Sequence, residues 1–198
     1  KLMDIDGVSA IIGPEWIEFG QVIIPVSTEK KTLFISPWMT AESSEMRGPY
    51  YLSGTPSERG QFSKLIQYMS AQGVKKLVIV YSQDSYGRID TALFKEELKG
   101  KIDLLEEFAV QDDATDYRTE ILRIKKLSPD AIFTVIATDA GFGLFAKQLK
   151  ELGVSLPHYM PIARAESAVL LDHYGPYVDG IIYSAPKSYK RAGEFEAK

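Results

Sequence analysis

The sequence contains no cysteine, which excludes disulfide scaffolds, cysteine-ligated metals and cysteine nucleophiles. Its two histidines, His158 and His173, have no partner histidine at a metal-binding spacing, so we expect no metal site. No apolar run approaches the roughly 20 residues that a membrane-spanning helix needs. The 23 basic residues are outnumbered by 27 acidic ones, a formal net charge of −4, so we expect no nucleic-acid partner.

What the sequence does contain is a pattern of short apolar runs separated by longer amphipathic segments. The predicted strands are residues 8–12, 33–35, 77–81, 104–110, 131–136, 159–162 and 181–184. Their continuous β-branched and aromatic character is typical of strands buried on both faces of a parallel sheet. Helical periodicity fills the intervals between the later runs. The predicted fold class is therefore α/β, with doubly wound parallel sheets.

A segment dense in turn formers, residues 48–57, separates the first two predicted strands from the other five. We interpret it as a crossing between two lobes, with Ala185-Pro186 as a return crossing. The predicted organisation is a partial first lobe over residues 1–54, a nearly complete second lobe over 55–184, and a return segment over 185–198.

Catalytic patterns are poorly represented. No nucleophile elbow or phosphate-binding loop occurs. Residues 141–146 fit a GxGxxA dinucleotide pattern, but four residues separate the first glycine from the preceding strand. No acidic residue ends the next strand, where a ribose would be held. We therefore interpret these glycines as allowing close helix packing, and we predict a protein that is not an enzyme and has no cofactor.

Binding is better supported, because ligands of open α/β sheets lie beyond the carboxyl ends of the strands. Six residues at such positions combine large rings with a few polar groups, which is the make-up of a small-molecule site. These predicted ligand-binding residues are Trp16, Trp38, Thr40, Tyr86, Asp139 and Arg164. Five of them also have a structural interpretation: core or interface for the tryptophans, an exposed turn for Tyr86, a helix N-cap for Asp139 and a surface ion pair for Arg164.

Several short motifs together resemble one known family, the type I periplasmic binding proteins of the branched-chain amino acid group, which are receptors for ABC importers. The resemblance rests on the order and spacing of motifs at residues 8–14 (VSAIIGP), 33–40, 55–61, 76–87, 115–117, 129–132 and 148–153. It implies a fold of two lobes that close on a small solute. This chain would contain one lobe nearly complete and the other in part.

The resemblance also assigns expected roles in the pocket. Thr40 matches a hydroxyl that contacts the ligand, Tyr86 matches the second-lobe tyrosine that closes over it, and Asp139 falls near another pocket position. The departures are informative. Trp16 and Trp38 stand where the family has small residues. The acidic residue that the family has near positions 163–164 is missing, and Arg164 stands there instead. An arginine pairs well with a carboxylate. We therefore expect an aromatic or other organic acid rather than a branched-chain amino acid.

The predicted function is that of an extracytoplasmic receptor, periplasmic or extracellular, either free or held by a lipid anchor. It would deliver its solute to a membrane ABC permease. A ligand-sensing regulator or receptor ectodomain of the same fold is the alternative. We expect the 198 residues to be a fragment of a longer protein that carries a signal peptide. If they are instead complete, a partner chain should cover the open edge of the first lobe.

Overall fold

The computed structural model describes residues 1–14, 16–37, 39, 47–111, 113–161 and 167–185. In these ranges strands and helices alternate along the chain. The strands are β1 Ala10–Ile12, β2 Leu33–Ser36, β3 Tyr51–Ser53, β4 Lys76–Ser82, β5 Asp103–Val110, β6 Ala131–Val135, β7 His158–Met160 and β8 Ile182–Tyr183. The helices are α1 Ile17–Lys30, α2 Glu58–Ala71, α3 Ser85–Leu98, α4 Arg118–Leu127, α5 Asp139–Glu151 and α6 Ala168–Val178.

The strands form two parallel sheets. The small sheet has the order β1-β2-β3, and the large sheet has the order β5-β4-β6-β7-β8. Helices α2 and α3 cover one face of the large sheet, and α4, α5 and α6 cover the other. This doubly wound arrangement confirms the predicted fold class. The chain passes from the small sheet to the large sheet between β3 and β4. The lobe boundary at residue 55 stays a prediction.

The centre of the large sheet is buried on both faces, as its continuous apolar runs predict. Every side chain from Leu77 to Val80 is fully buried. On the α2–α3 side, Phe94 and Phe133 stack with their ring centres 3.7 Å apart, and Phe62 meets both rings edge-on. Burying each such ring contributes roughly 1.5–3 kcal/mol, so this side anchors α2 and α3 firmly to the sheet.

The small sheet includes one strand that the sequence pattern did not indicate. Residues 48–57, interpreted from the sequence as a crossing between lobes, contain β3, which pairs with β2 in the register Phe34 to Tyr51. The strand was missed because its three residues, flanked by Gly48-Pro49 and Gly54, are too few to show a strand pattern. Pairing with β2 selects the extended conformation here, which is a tertiary effect rather than a local one.

The two faces of the small sheet differ. Helix α1 covers one face and forms the small-sheet cluster of buried side chains: Ile17, Ile24, Phe34, Met39 and Tyr51. On the opposite face, Ile12 is 77% exposed and Leu52 is 55% exposed. In the described residues the small sheet is therefore buried on one side only.

The glycines of the GxGxxA pattern serve helix packing. A Cβ atom on Gly143 would lie 2.2 Å from the ring of Tyr174 in α6. Only a residue without a side chain lets α5 and α6 approach this closely. The geometry agrees with the packing interpretation of this motif.

Candidate functional site

The order of strands in the large sheet reverses next to β4. From β4 the chain continues to β5 on one side, whereas β6, β7 and β8 extend on the other. The carboxyl ends of β4 and β6 therefore flank a topological switch point, where α/β sheets bind their ligands. Tyr86 follows β4 and Asp139 follows β6, so these two predicted site residues lie at the ends of neighbouring strands.

Ser82, the last residue of β4, joins the loops at this edge. Its fully buried hydroxyl lies 2.9 Å from Asp84 Oδ1. Ser82 Oγ also accepts a hydrogen bond from the backbone N–H of Ala137 at 3.2 Å, in the loop after β6. A buried hydroxyl between two loops fixes both, because leaving any of these groups unpaired costs free energy. The loops that carry Tyr86 and Asp139 are thus held together.

The first turn of α3 is seated directly on the end of β4. Asp84 caps the helix and accepts the N–H of Gly87 at 2.6 Å. A Cβ atom on Gly87 would lie 2.1 Å from the carbonyl oxygen of Ser82. Glycine at this position therefore permits the contact. The contact in turn fixes the position from which the side chain of Tyr86, one residue earlier, projects from α3.

Tyr86 lies at the junction of the two sheets. Its partly buried side chain packs against the α2–α3 side of the large sheet and also against the small-sheet cluster. Ile89, one turn along α3, makes the same two contacts. Tyr86 thus lies where a group that closes over a solute between two lobes would have to lie, and that role stays a prediction.

Trp16 is positioned by the loop after β1, at the start of α1. It is the N-cap residue of α1, its side chain is 50% exposed, and it directly precedes Ile17 of the small-sheet cluster. The loop before it is held to the end of β2, because Ser36 Oγ donates to the Pro14 carbonyl at 3.0 Å. A half-exposed indole in the loop after β1 is available for stacking on a ring.

The backbone of Met39 is the fixed point of the next loop. Its carbonyl oxygen accepts hydrogen bonds from Tyr51 Oη at 2.9 Å, from Thr55 Oγ1 at 3.1 Å and from Ser53 Oγ. Its N–H donates to Ser36 Oγ at 3.1 Å.

Three further predicted site residues, Trp38, Thr40 and Arg164, lie outside the described residues, and their roles stay predictions.

Asp139 is the first residue of α5 rather than its N-cap, which is Thr138. Its Oδ2 accepts a hydrogen bond from Ser167 Oγ at 2.6 Å, and Ser167 in turn caps α6. The carboxylate thereby joins the loops that follow β6 and β7. The N-cap interpretation of Asp139 is wrong, and its contact with a solute stays a prediction.

Sequence reasoning missed a buried carboxyl pair behind Tyr86. Asp90, one turn further along α3, is fully buried, and Glu58 at the start of α2 faces it with Oε2 buried. Burial first, and then the Glu58 carboxyl, raises the pKa of Asp90 well above its ordinary value. One signal was available: Asp90 shares the buried helical stripe of Gly87, Phe94 and Leu98.

His158 is a core residue. Burial lowers its pKa to about 3, and its Nε2 lies 2.8 Å from Thr134 Oγ1. The rings of Phe142 and Phe145 flank it.

No cluster of three or more metal-ligating side chains occurs among the residues that the structure describes. Within the same ranges, no helix has the length and apolar character needed to cross a bilayer.

The sequence matches a family model described as periplasmic binding protein over residues 1–194. Among solved structures, it is 25% identical to a solute-binding protein of an ABC transporter from Rhodopseudomonas palustris BisB5, in complex with 3,4-dihydroxybenzoic acid. That match has a TM-score of 0.77 and covers 99% of this chain and 56% of the other.

Two more distant structures share the fold. One is a leucine-binding protein from Thermotoga maritima, at 18% identity and a TM-score of 0.83, covering 98% of this chain and 57% of the other. The other is an R. palustris solute-binding protein in complex with benzoate, at 18% identity and a TM-score of 0.76, covering 91% and 50%. The chain thus spans about half the length of the structures it matches.

Proposed function

Because this chain belongs to the periplasmic binding protein family, we propose that it forms part of an extracytoplasmic receptor that captures a small organic solute for an ABC importer. The solute would bind in the cleft between the lobes of residues 1–54 and 55–184. One observation carries the proposal: Tyr86, at the switch point of the large sheet, packs against the cores of both sheets. A group placed there senses how the two sheets are arranged, as closure on a solute requires.

The proposed solute is an aromatic carboxylic acid. Tyr86 supplies a ring face at the junction, and the half-exposed Trp16 supplies another at the start of α1. The sequence adds Trp38, and Arg164 as a candidate partner for a carboxylate. The relative at 25% identity is in complex with 3,4-dihydroxybenzoic acid, which carries a ring, a carboxylate and hydroxyl groups. An amino acid is the competing solute, because a structural neighbour is a leucine-binding protein.

A thermal-shift panel tests the solute class. We expect 3,4-dihydroxybenzoate or benzoate, at about 100 times its dissociation constant, to stabilise the protein by roughly 2.7 kcal/mol. For a chain of this size that raises Tm by roughly 5–10 °C. Stabilisation by leucine or valine with no response to either aromatic acid would contradict the proposal. Intrinsic fluorescence offers a second readout, since the two tryptophans of the chain are both predicted site residues.

Tyr86→Ala and Trp16→Ala localise the binding. We expect each to weaken affinity for the aromatic acid by roughly 10-fold or more, the effect of losing one ring contact with its hydrophobic area. Tyr68→Ala is the matched control, because Tyr68 is a partly exposed tyrosine beside Gly73 and Pro129, at the opposite edge of the large sheet. Equal losses in all three variants would show that the effect is not specific to the cleft.

A further inference from the structure

The buried carboxyl pair of Asp90 and Glu58 has no role in the binding proposed above, although it lies directly behind Tyr86. We propose that this pair, holding one proton between its two carboxyl groups, positions Tyr86, and that solute affinity therefore falls with rising pH as the pair loses that proton. The inference rests on the proposed function, because it concerns how the same cleft is held in its binding arrangement.

The surroundings of Asp90 are unusual for a carboxyl group. It is 0% exposed, and neither of its oxygens has a hydrogen-bond partner of ordinary geometry. The groups that act on it are Glu58 from α2, Asp84 from the end of β4 and Tyr86 from its own helix. None of these three carries a positive charge. A buried carboxylate without a cation is strongly disfavoured, so the neutral form is retained.

Two carboxyl groups that face each other away from water cannot both be ionised without strong repulsion. A single shared proton resolves this, because the neutral carboxyl donates toward the ionised one. This agrees with the direction in which the pKa of Asp90 is moved. Removing the last proton leaves two negative charges enclosed between α2 and α3, and those charges push their side chains apart.

The pair is connected to both sides of the junction. Tyr86 lies one helical turn before Asp90, so their side chains share one face of α3 and the phenol faces the carboxyl group. On the other side, Glu58 begins α2 only three residues after Thr55. Thr55 Oγ1 donates at 3.1 Å to the Met39 carbonyl of the loop that carries Trp38 and Thr40. Repulsion within the pair would thus disturb Tyr86 and the small-sheet loop together.

The experiment is a titration of 3,4-dihydroxybenzoate by fluorescence or calorimetry from pH 4 to pH 9, on the wild type and on Asp90→Asn and Glu58→Gln. The solute's own titration is common to all proteins and cancels in their comparison. We expect the dissociation constant of the wild type to rise at least fivefold more across this range than that of either variant. Asp103→Asn, which neutralises an exposed carboxyl at the start of β5, should follow the wild type.

The outcomes separate the two proposals. Binding at pH 6 with parallel pH profiles in the wild type and in a folded variant overturns the role of the pair and leaves the proposed function intact. No binding of the acid by the wild type at any pH overturns both. If Asp90→Asn does not fold, Glu58→Gln decides, because Glu58 is only partly buried and begins its helix.

Discussion

Replacing Gly87 by alanine is expected to lower the free energy of unfolding by roughly 3 kcal/mol, the upper range for forcing extra atoms into a packed interior. The new Cβ would lie 2.1 Å from the Ser82 carbonyl oxygen and 2.7 Å from its hydroxyl. Neither atom can yield easily, because the first is backbone of β4 and the second joins the loops after β4 and β6. The first turn of α3 must therefore lift from the sheet and carry Tyr86 with it. Urea denaturation measures the loss of stability, and the solute titration measures the loss of affinity.

Gly60→Ala is a matched control for this change. Gly60 is also the third residue of its helix, and its N–H also donates to the N-cap side chain, Ser57 Oγ. A Cβ atom there meets only the Ser57 side chain, at 3.3 Å and beyond. Alanine should then raise stability by about 0.5–1 kcal/mol, since it favours the helix over the unfolded chain. Equal stability of the two variants would show that the contact with Ser82 does not restrict position 87.

Acidification is expected to destabilise the protein through His158. Its pKa is about 3 in the folded chain and about 6.5 when unfolded. Between these values the unfolded chain binds the extra proton, so the free energy of unfolding decreases as pH falls. The slope approaches roughly 1.4 kcal/mol per pH unit well below pH 6.5, and the decrease ends near pH 3.

The test compares His158→Gln with His173→Gln over pH 4–7. The first variant should lose most of this slope, whatever its stability at pH 7. The second should keep it, because His173 is exposed on α6. A slope that survives in His158→Gln would assign the acid sensitivity to other groups.

Asp90 acts in the opposite direction: its raised pKa makes stability fall as pH rises above about 3.8.

The parts of the fold that sequence predicts best are those in which local pattern and burial agree. The runs that became β4 and β6 are continuous and apolar, and both strands are buried in the centre of the large sheet. Strand β3 has no such pattern, because its conformation comes from pairing with β2. The distance in sequence between a residue and its partner thus limits what a single sequence can show.

The same limit applies to the candidate site. Tyr86 could be placed from the sequence, because it follows a continuous apolar strand and belongs to the motif at residues 76–87. The pairing of Asp90 with Glu58 could not be predicted, because it depends on how α2 and α3 pack on the sheet. The hydroxyl groups around the Met39 carbonyl come from β3 and the segment after it, which no local pattern connects to that loop.

The one-sided burial of the small sheet means that the two sheets do not resist local opening equally. The small sheet is held by five buried side chains within the described residues, whereas the large sheet is enclosed on both faces. Backbone amides of β1 and β2 should therefore exchange with solvent through lower-energy openings than those of β4 and β6. Any solute that bridges Trp16 and Tyr86 would spend part of its binding free energy on slowing that exchange, so ordering of the small sheet becomes part of recognition itself.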